Sequence, residues 1–182
     1  MKKVILALAL ILGLSVGVFA QDYSVKQGYK GFFEVGYTQG LRGYTFQIFE
    51  YNSNKIELST THGIQLNPYI FVGAGVGFEC HISSLFCAVP LFADVRVSPL
   101  KGNITPYIEL KGGMSLGSIQ GAYISPSIGC RFGLTRRVGL YVGAGYTYMN
   151  TPKRKFIYDP LGHFYNQTID IDGFGLRIGF DF

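Results

Sequence analysis

The sequence predicts an all-β fold: an eight-stranded antiparallel up-and-down β-barrel that crosses a membrane with its strands. Three observations predict it: an N-terminal export signal, eight segments that alternate with period 2, and a final strand that ends in Phe182. Each segment has about the length that a tilted membrane strand requires. Long and short connectors alternate along the chain, as expected when both termini of a barrel lie in the periplasm.

The first element is a signal peptide over residues 1–20. Two lysines precede an apolar run from Val4 to Leu14, and Val18-Phe19-Ala20 supplies the small residues that signal peptidase needs. A membrane anchor is the alternative, but this run is shorter than the roughly 20 residues of a spanning helix. No cysteine follows the cleavage site, which argues against a lipid anchor. We expect residues 21–182 to form one outer-membrane barrel domain.

Composition narrows the class of protein. Charged residues make up 15% of the chain and aromatic residues another 15%, whereas charged residues reach about 25% in soluble domains. The net charge of +5 falls by two when the signal peptide is removed, which is too little to indicate nucleic-acid binding. No apolar stretch after the signal is long enough for a helical span, so only a closed barrel would suit a membrane. We expect no cofactor and no metal.

The predicted strands are defined by alternation and bounded by turn-forming residues. They run over Tyr29–Thr38, Lys55–Gln65, Tyr69–Cys80, Cys87–Val97, Ile104–Ser115, Ala122–Gly133, Val138–Met149 and Thr168–Phe182. The connectors Gln39–Asn54 and Asn150–Gln167 are the longest. Pro90, Pro106 and Pro126 fall inside predicted strands, where each removes a ladder donor, and we expect them to mark bulges or strand ends.

The two faces of the strands differ in chemistry. Phe174, Leu176 and Ile178 share one face of the last strand, while glycines and Arg177 share the other. A soluble lipocalin-like barrel would turn the apolar face inward around a ligand. The opposite face is rich in glycine, which suits the tight interior of an eight-stranded barrel better than an exposed sheet. We therefore expect the apolar face to point outward, into lipid.

Three segments carry a family resemblance. Val72-Gly73-Ala74-Gly75-Val76-Gly77, the run from Ser125 to Gly133, and Leu176-Arg177-Ile178-Gly179-Phe180-Asp181-Phe182 resemble the strands of porin-family outer-membrane β-barrel proteins. The small OmpA/OmpX-type scaffold with eight strands is the nearest pattern. The resemblance implies a bacterial outer-membrane location and makes Phe182 part of the signal read by the barrel-assembly machinery. That family has no shared catalytic residue to carry over.

Charged residues on the inward face form the first candidate site. They are Glu34, Glu57, Asp94, Arg96, Glu109, Lys111, Arg131 and Arg177. Buried charges must pair, because an isolated one is very costly. We interpret them as a self-neutralising polar interior, with a narrow ion path as the functional alternative.

Cysteine and histidine give two further candidates. Cys80 and Cys87 bracket a short connector, and a disulfide between them is plausible in an oxidising compartment. His81 and Ser83 form a His-x-Ser pair that is similar to the site of outer-membrane lipid A deacylases, in which His activates Ser. Parity points this pair inward, whereas the deacylase site faces lipid. His62 and His163 have no partner at a recognisable spacing, and we expect no enzyme.

The long connectors contain the remaining candidates. The single basic and aromatic cluster comprises Lys153, Arg154, Lys155, Phe156 and Tyr158. It is either a solvated outer loop or a surface that binds lipopolysaccharide phosphates or another acidic partner. Because the first and last strands close a barrel, the connectors Gln39–Asn54 and Asn150–Gln167 should emerge side by side. We expect a monomer with a structural or surface-interaction role, and a narrow diffusion porin is the alternative.

Overall fold

In the computed structural model the chain forms a closed barrel of eight strands with a small additional hairpin. The structure describes residues 27–41, 54–82, 87–117, 120–135, 138–151, 157–158, 164–165 and 169–182, so the predicted signal peptide lies outside it. The strands are β1 (Gly28–Gly40), β2 (Lys55–Asn67), β3 (Ile70–His81), β4 (Cys87–Val97), β5 (Ile104–Gly117), β6 (Gly121–Gly133), β7 (Gly139–Thr151), β8 (Ile157–Tyr158), β9 (Phe164–Tyr165) and β10 (Ile169–Asp181). Among these residues no helix is long and apolar enough to cross a membrane.

Every barrel strand pairs antiparallel with its neighbour in sequence, and β1 pairs with β10 to close the barrel. The predicted fold is thus confirmed, and the predicted segments match the eight barrel strands to within a few residues. The prediction missed β8 and β9, which pair with each other inside the last long connector. A two-residue strand is too short to show a period-2 pattern, which is why the sequence gives no sign of them.

The apolar face of the barrel points outward, as predicted. Ile128 is 64% exposed and Leu176 is 67% exposed, while their polar strand neighbours are buried. Soluble monomers rarely expose a continuous apolar surface of this extent. The lipocalin-like alternative is therefore wrong, because it requires these side chains inside.

Pro126 breaks the pairing of β6 with β7. The ladder skips the two pairs at Ser125 and Pro126 and then resumes in the same register. Proline has no N–H to donate, and the Ser125 hydroxyl instead donates to the Tyr146 carbonyl at 3.2 Å. The side chain next to the proline thus supplies a hydrogen bond where the backbone ladder is interrupted.

The other two prolines have different settings. The β3–β4 ladder skips the two pairs that would join Gly77 to Pro90 and Phe78 to Val89, again without a change of register. A Cβ at Gly77 would lie 2.9 Å from Cγ of Pro90, so the glycine makes room for the ring. Pro106 pairs with β6 but lies beyond the end of β4. None of the three prolines marks a bulge, and Pro106 is the third residue of β5 with regular pairing to β6. Among the described ladders the register shift lies between Gln65 and Asn67.

Glycines on the inner face leave space for aromatic rings as well as for charged side chains. A Cβ at Gly73 would lie 2.7 Å from Cζ of Phe71, and one at Gly75 would lie 2.6 Å from Cε2 of Phe92. Such distances are shorter than carbon atoms tolerate. The glycine-rich face is therefore the counterpart of an interior that contains large rings.

Candidate functional site

The interior of the barrel contains all eight of the predicted inward charges. Seven are buried, and the side chain of the eighth, Arg131, is 12% exposed. The structure adds Lys30, Lys55, Glu79 and Asp181 to them. The described interior thus holds six cations and six carboxylates. Parity within β1, β2 and β10 was the signal that could have found Lys30, Lys55 and Asp181, while Glu79 shares the inward parity predicted for His81.

Arg96 is the centre of this network. Its guanidinium group forms ion pairs with Glu34 at 2.9 Å, Asp94 at 3.0 Å and Glu109 at 2.6 Å. Three carboxylates around one planar fork use several of its five donors at once. Such a buried cluster depends on complete pairing, because any member left alone would be an unpaired charge in a medium of low dielectric constant.

Lys111 and Arg177 complete the middle of the network. Lys111 donates to Glu34, and its Nζ lies 3.6 Å from Glu109. Arg177 pairs with Glu57 through Nε, and its Nη2 donates to Ser125 at 2.5 Å and to Thr147 at 3.1 Å. Hydroxyls on β6 and β7 thus satisfy the side of the guanidinium that faces away from Glu57.

Two clusters of large apolar side chains lie in the interior, and the sequence reasoning missed both. One cluster comprises Phe32, Phe71, Tyr107 and Tyr141, and the other comprises Ala88, Phe92, Tyr123 and Met149. Their members alternate with inward charges along the strands, so parity placed them inside. The inner face is therefore not purely polar, because it carries these rings between its charged residues.

The first cluster packs directly on the ion-pair network. The Arg96 guanidinium lies 3.8 Å from the centroid of Phe32 and 5.1 Å from that of Tyr141. On the other side, Nζ of Lys111 lies 5.1 Å from the Phe92 ring. The central charges thus lie between aromatic layers, in cation–π contacts that strengthen as water is excluded.

Beyond the network around Arg96, Lys111 and Arg177, further charges lie near the end of the barrel with the long connectors. Nζ of Lys55 lies 2.7 Å from Glu79 and 4.0 Å from Glu57. His81 is buried in the same region, and neither of its ring nitrogens has a hydrogen-bond partner among the described residues. Ser83 lies outside the described residues. His81 therefore faces the interior of the barrel, as its parity predicts.

Cys80 and Cys87 are joined by a disulfide, with their Cα atoms 4.3 Å apart. They face each other across β3 and β4, beyond the ladder gap at Pro90. Two residue pairs form the ladder beyond this gap, and the disulfide covalently closes the outer one. Cys130 is a free thiol on the outer face of β6.

The end with the short connectors carries an aromatic group on the outer face. Phe182 is 47% exposed, and its backbone N–H donates to the Gly31 carbonyl at 3.0 Å. A Cβ at Gly31 would lie 2.6 Å from this ring, so the glycine allows the ring to lie flat on β1. His62, predicted to lack a partner, lies 2.6 Å from the Tyr29 hydroxyl through Nδ1. Aromatic residues on the outer face near the strand ends are typical of transmembrane barrels at the membrane–water interface.

The predicted loop cluster belongs to the last long connector. Lys153, Arg154, Lys155 and Phe156 lie outside the described residues, as do His163 and most of Gln39–Asn54. Tyr158 is the second residue of strand β8. The strands that carry these connectors do meet: Gly40 pairs with Gly173, and the Leu41 N–H donates to the Asp172 carbonyl at 2.9 Å.

Comparison with solved structures places this architecture among known folds. Neisserial surface protein A superposes with a TM-score of 0.62 at 12% identity over 85% of this chain and 96% of that one. The outer membrane protein OprG from Pseudomonas aeruginosa gives 0.56 at 12% identity over 88% and 98%. The chain has the fold of small transmembrane β-barrels. No protein-family model matches the sequence, and comparison with curated proteins finds no significant match.

Proposed function

We propose that this protein is a monomeric, non-enzymatic barrel of the bacterial outer membrane that acts as a scaffold for its long connectors. The observation that carries the proposal is the filled interior. In the described interior six cations pair with six carboxylates, and the central charges lie between two clusters of buried rings. An eight-stranded barrel encloses just enough volume for its side chains. The interior is thus a packed core rather than a path for solute.

The outer face supports the outer-membrane location. Its strands are 11–14 residues long, enough to cross the hydrocarbon layer at the usual tilt. Outer-membrane lipid and lipopolysaccharide would contact this face. Phe182 would be part of the signal that the barrel-assembly machinery reads. After export, residues 1–20 would be removed.

The connectors are the candidate interaction surface. Loops on a rigid scaffold are where binding residues concentrate, and the first and last connectors leave the paired strands β1 and β10. Lys153, Arg154, Lys155, Phe156 and Tyr158 would provide charge and aromatic contact for an acidic partner such as lipopolysaccharide phosphate.

Cell fractionation tests the location. We expect the protein in the outer-membrane fraction, with a faster gel mobility before boiling than after, because a closed barrel resists detergent at room temperature. A soluble periplasmic protein with a single mobility would contradict the proposal. Gel filtration in detergent, compared with the mass of one chain, tests the monomeric state.

A further inference from the structure

We propose that the mouth of the barrel at the short-connector end binds one small monovalent anion of chloride size. The site lies between Lys30, Arg131 and the aromatic cluster of Phe32, Phe71, Tyr107 and Tyr141. This inference goes beyond the proposed function, because it concerns the interior of the barrel and not its connectors.

The first argument is charge. Lys30 and Arg131 both pair with Asp181, Arg131 through Nε at 2.7 Å and through Nη2 at 3.1 Å. The third cation beside the mouth, Arg96, is already surrounded by three carboxylates. Among the described residues, two cations at the mouth therefore share one carboxylate. An excess positive charge in a low-dielectric site attracts an anion.

The second argument is hydrogen bonding. Nη1 of Arg131 and the hydroxyl of Tyr141 are buried and have no hydrogen-bond partner among the described residues. A buried donor without an acceptor is costly, so native structures rarely contain one. Arginine offers donors alone and the tyrosine hydroxyl can donate as well. An acceptor that carries negative charge satisfies both groups, whereas water would leave the excess charge uncompensated.

The third argument is space. A cavity of about 30 Å³ lies at this mouth, lined by Lys30, Gln65, Arg96, Thr105, Arg131 and Tyr141, with Phe32 and Phe71 among its apolar walls. A water-sized guest needs about 10–15 Å³ on this measure. The cavity therefore fits a halide but not a sulfate or phosphate. The side chains of Lys30 and Arg131 are 11% and 12% exposed, so the site opens to solvent.

Chloride binding can be measured directly by the line width of ³⁵Cl NMR on barrel refolded in detergent, with gluconate as the background anion. We expect excess broadening that saturates with chloride, is displaced by bromide and is not displaced by sulfate. Arg131→Gln removes the excess charge and one orphaned donor. It should weaken binding by about tenfold or more, since a charge interaction near a protein surface exceeds the energy of one factor of ten.

Two matched variants complete the design. Asp181→Asn removes the competing carboxylate and should tighten chloride binding, which a general loss of structure could not do. Lys101→Gln removes an exposed charge from a connector at the same end and should leave binding unchanged. Wild-type broadening that persists in Arg131→Gln, or no broadening in the wild type, would overturn the site. Should Arg131→Gln fail to refold, Asp181→Asn decides alone: tighter binding supports the site, and equal or weaker binding overturns it.

Discussion

The guanidinium group of Arg96 lies 3.8 Å from the centroid of the Phe32 ring. The same group pairs with three carboxylates, so one side chain connects the aromatic layer to the ion-pair network. Arginine suits this position because its planar group stacks on a ring while its edges donate hydrogen bonds. The interior is stable only as a unit, and its most connected members should dominate its energetics.

Arg96→Gln should destabilise the barrel by about 3–5 kcal/mol, because it leaves buried carboxylates without a counter-charge. Arg96→Lys should cost less, since it keeps the charge but loses the stacked fork. The chain has no tryptophan, so urea unfolding from lipid vesicles should be followed by tyrosine fluorescence and gel mobility. The exposed Lys101→Gln serves as the control, with an expected change below about 1 kcal/mol. A similarly small change for Arg96→Gln would contradict the central role of Arg96 in the ion-pair network.

Gly73→Ala should destabilise the barrel by about 1–3 kcal/mol, the usual cost of overpacking. Its Cβ would meet the Phe71 ring and the His62 carbonyl, each at 2.7 Å. Gly112→Ala is the matched control, because a Cβ there has no neighbour within 4 Å. The same unfolding measurement applies to both. Equal effects of the two substitutions would show that the inner glycines are not needed for ring packing.

Replacing Cys80 and Cys87 by serine should leave the barrel assembled but loosen the ends of β3 and β4. The short ladder beyond the Pro90 gap contains only two pairs, Glu79–Ala88 and Cys80–Cys87. Hydrogen exchange should accelerate at amides near these pairs and stay unchanged in β10. Cys130→Ser is the control for the loss of a thiol. Unchanged exchange at Glu79 and Ala88 would mean that the disulfide does not hold this end.

Replacing residues 42–53 and 152–168 by short turns should leave insertion and heat-modifiable mobility intact. The strands pair up to Gly40–Gly173 and Thr151–Ile169 without these segments. We expect the shortened barrel to lose partners captured from whole cells or host extract. A variant with Lys153, Arg154 and Lys155 replaced by glutamine tests the charge alone. Equal capture by intact and shortened barrels would exclude the connectors as the binding surface.

The sequence predicted the faces of the strands better than the contacts between them. Parity placed Glu34 and Arg96 inside, but the ion pair between them, far apart in the chain, depends on strand stagger, which a single sequence does not encode locally. Phe32 and Tyr141 were overlooked because aromatic residues were assigned to the lipid face. The gaps in the ladders at Pro90 and Pro126 could not be foreseen. The register decides toward which neighbouring strand the missing N–H of a proline would have pointed.

Planar-bilayer conductance of the refolded barrel tests the central claim most directly, that the interior is a packed core. The charges around Arg96 lie between two clusters of buried rings, and no solute path is expected through such packing. We predict that the protein inserts into the membrane, as shown by the gel mobility of protein recovered from vesicles. The membrane should nevertheless show no stable open-channel steps. Large and long-lived conductance steps from the wild-type chain would contradict the account and favour a diffusion porin.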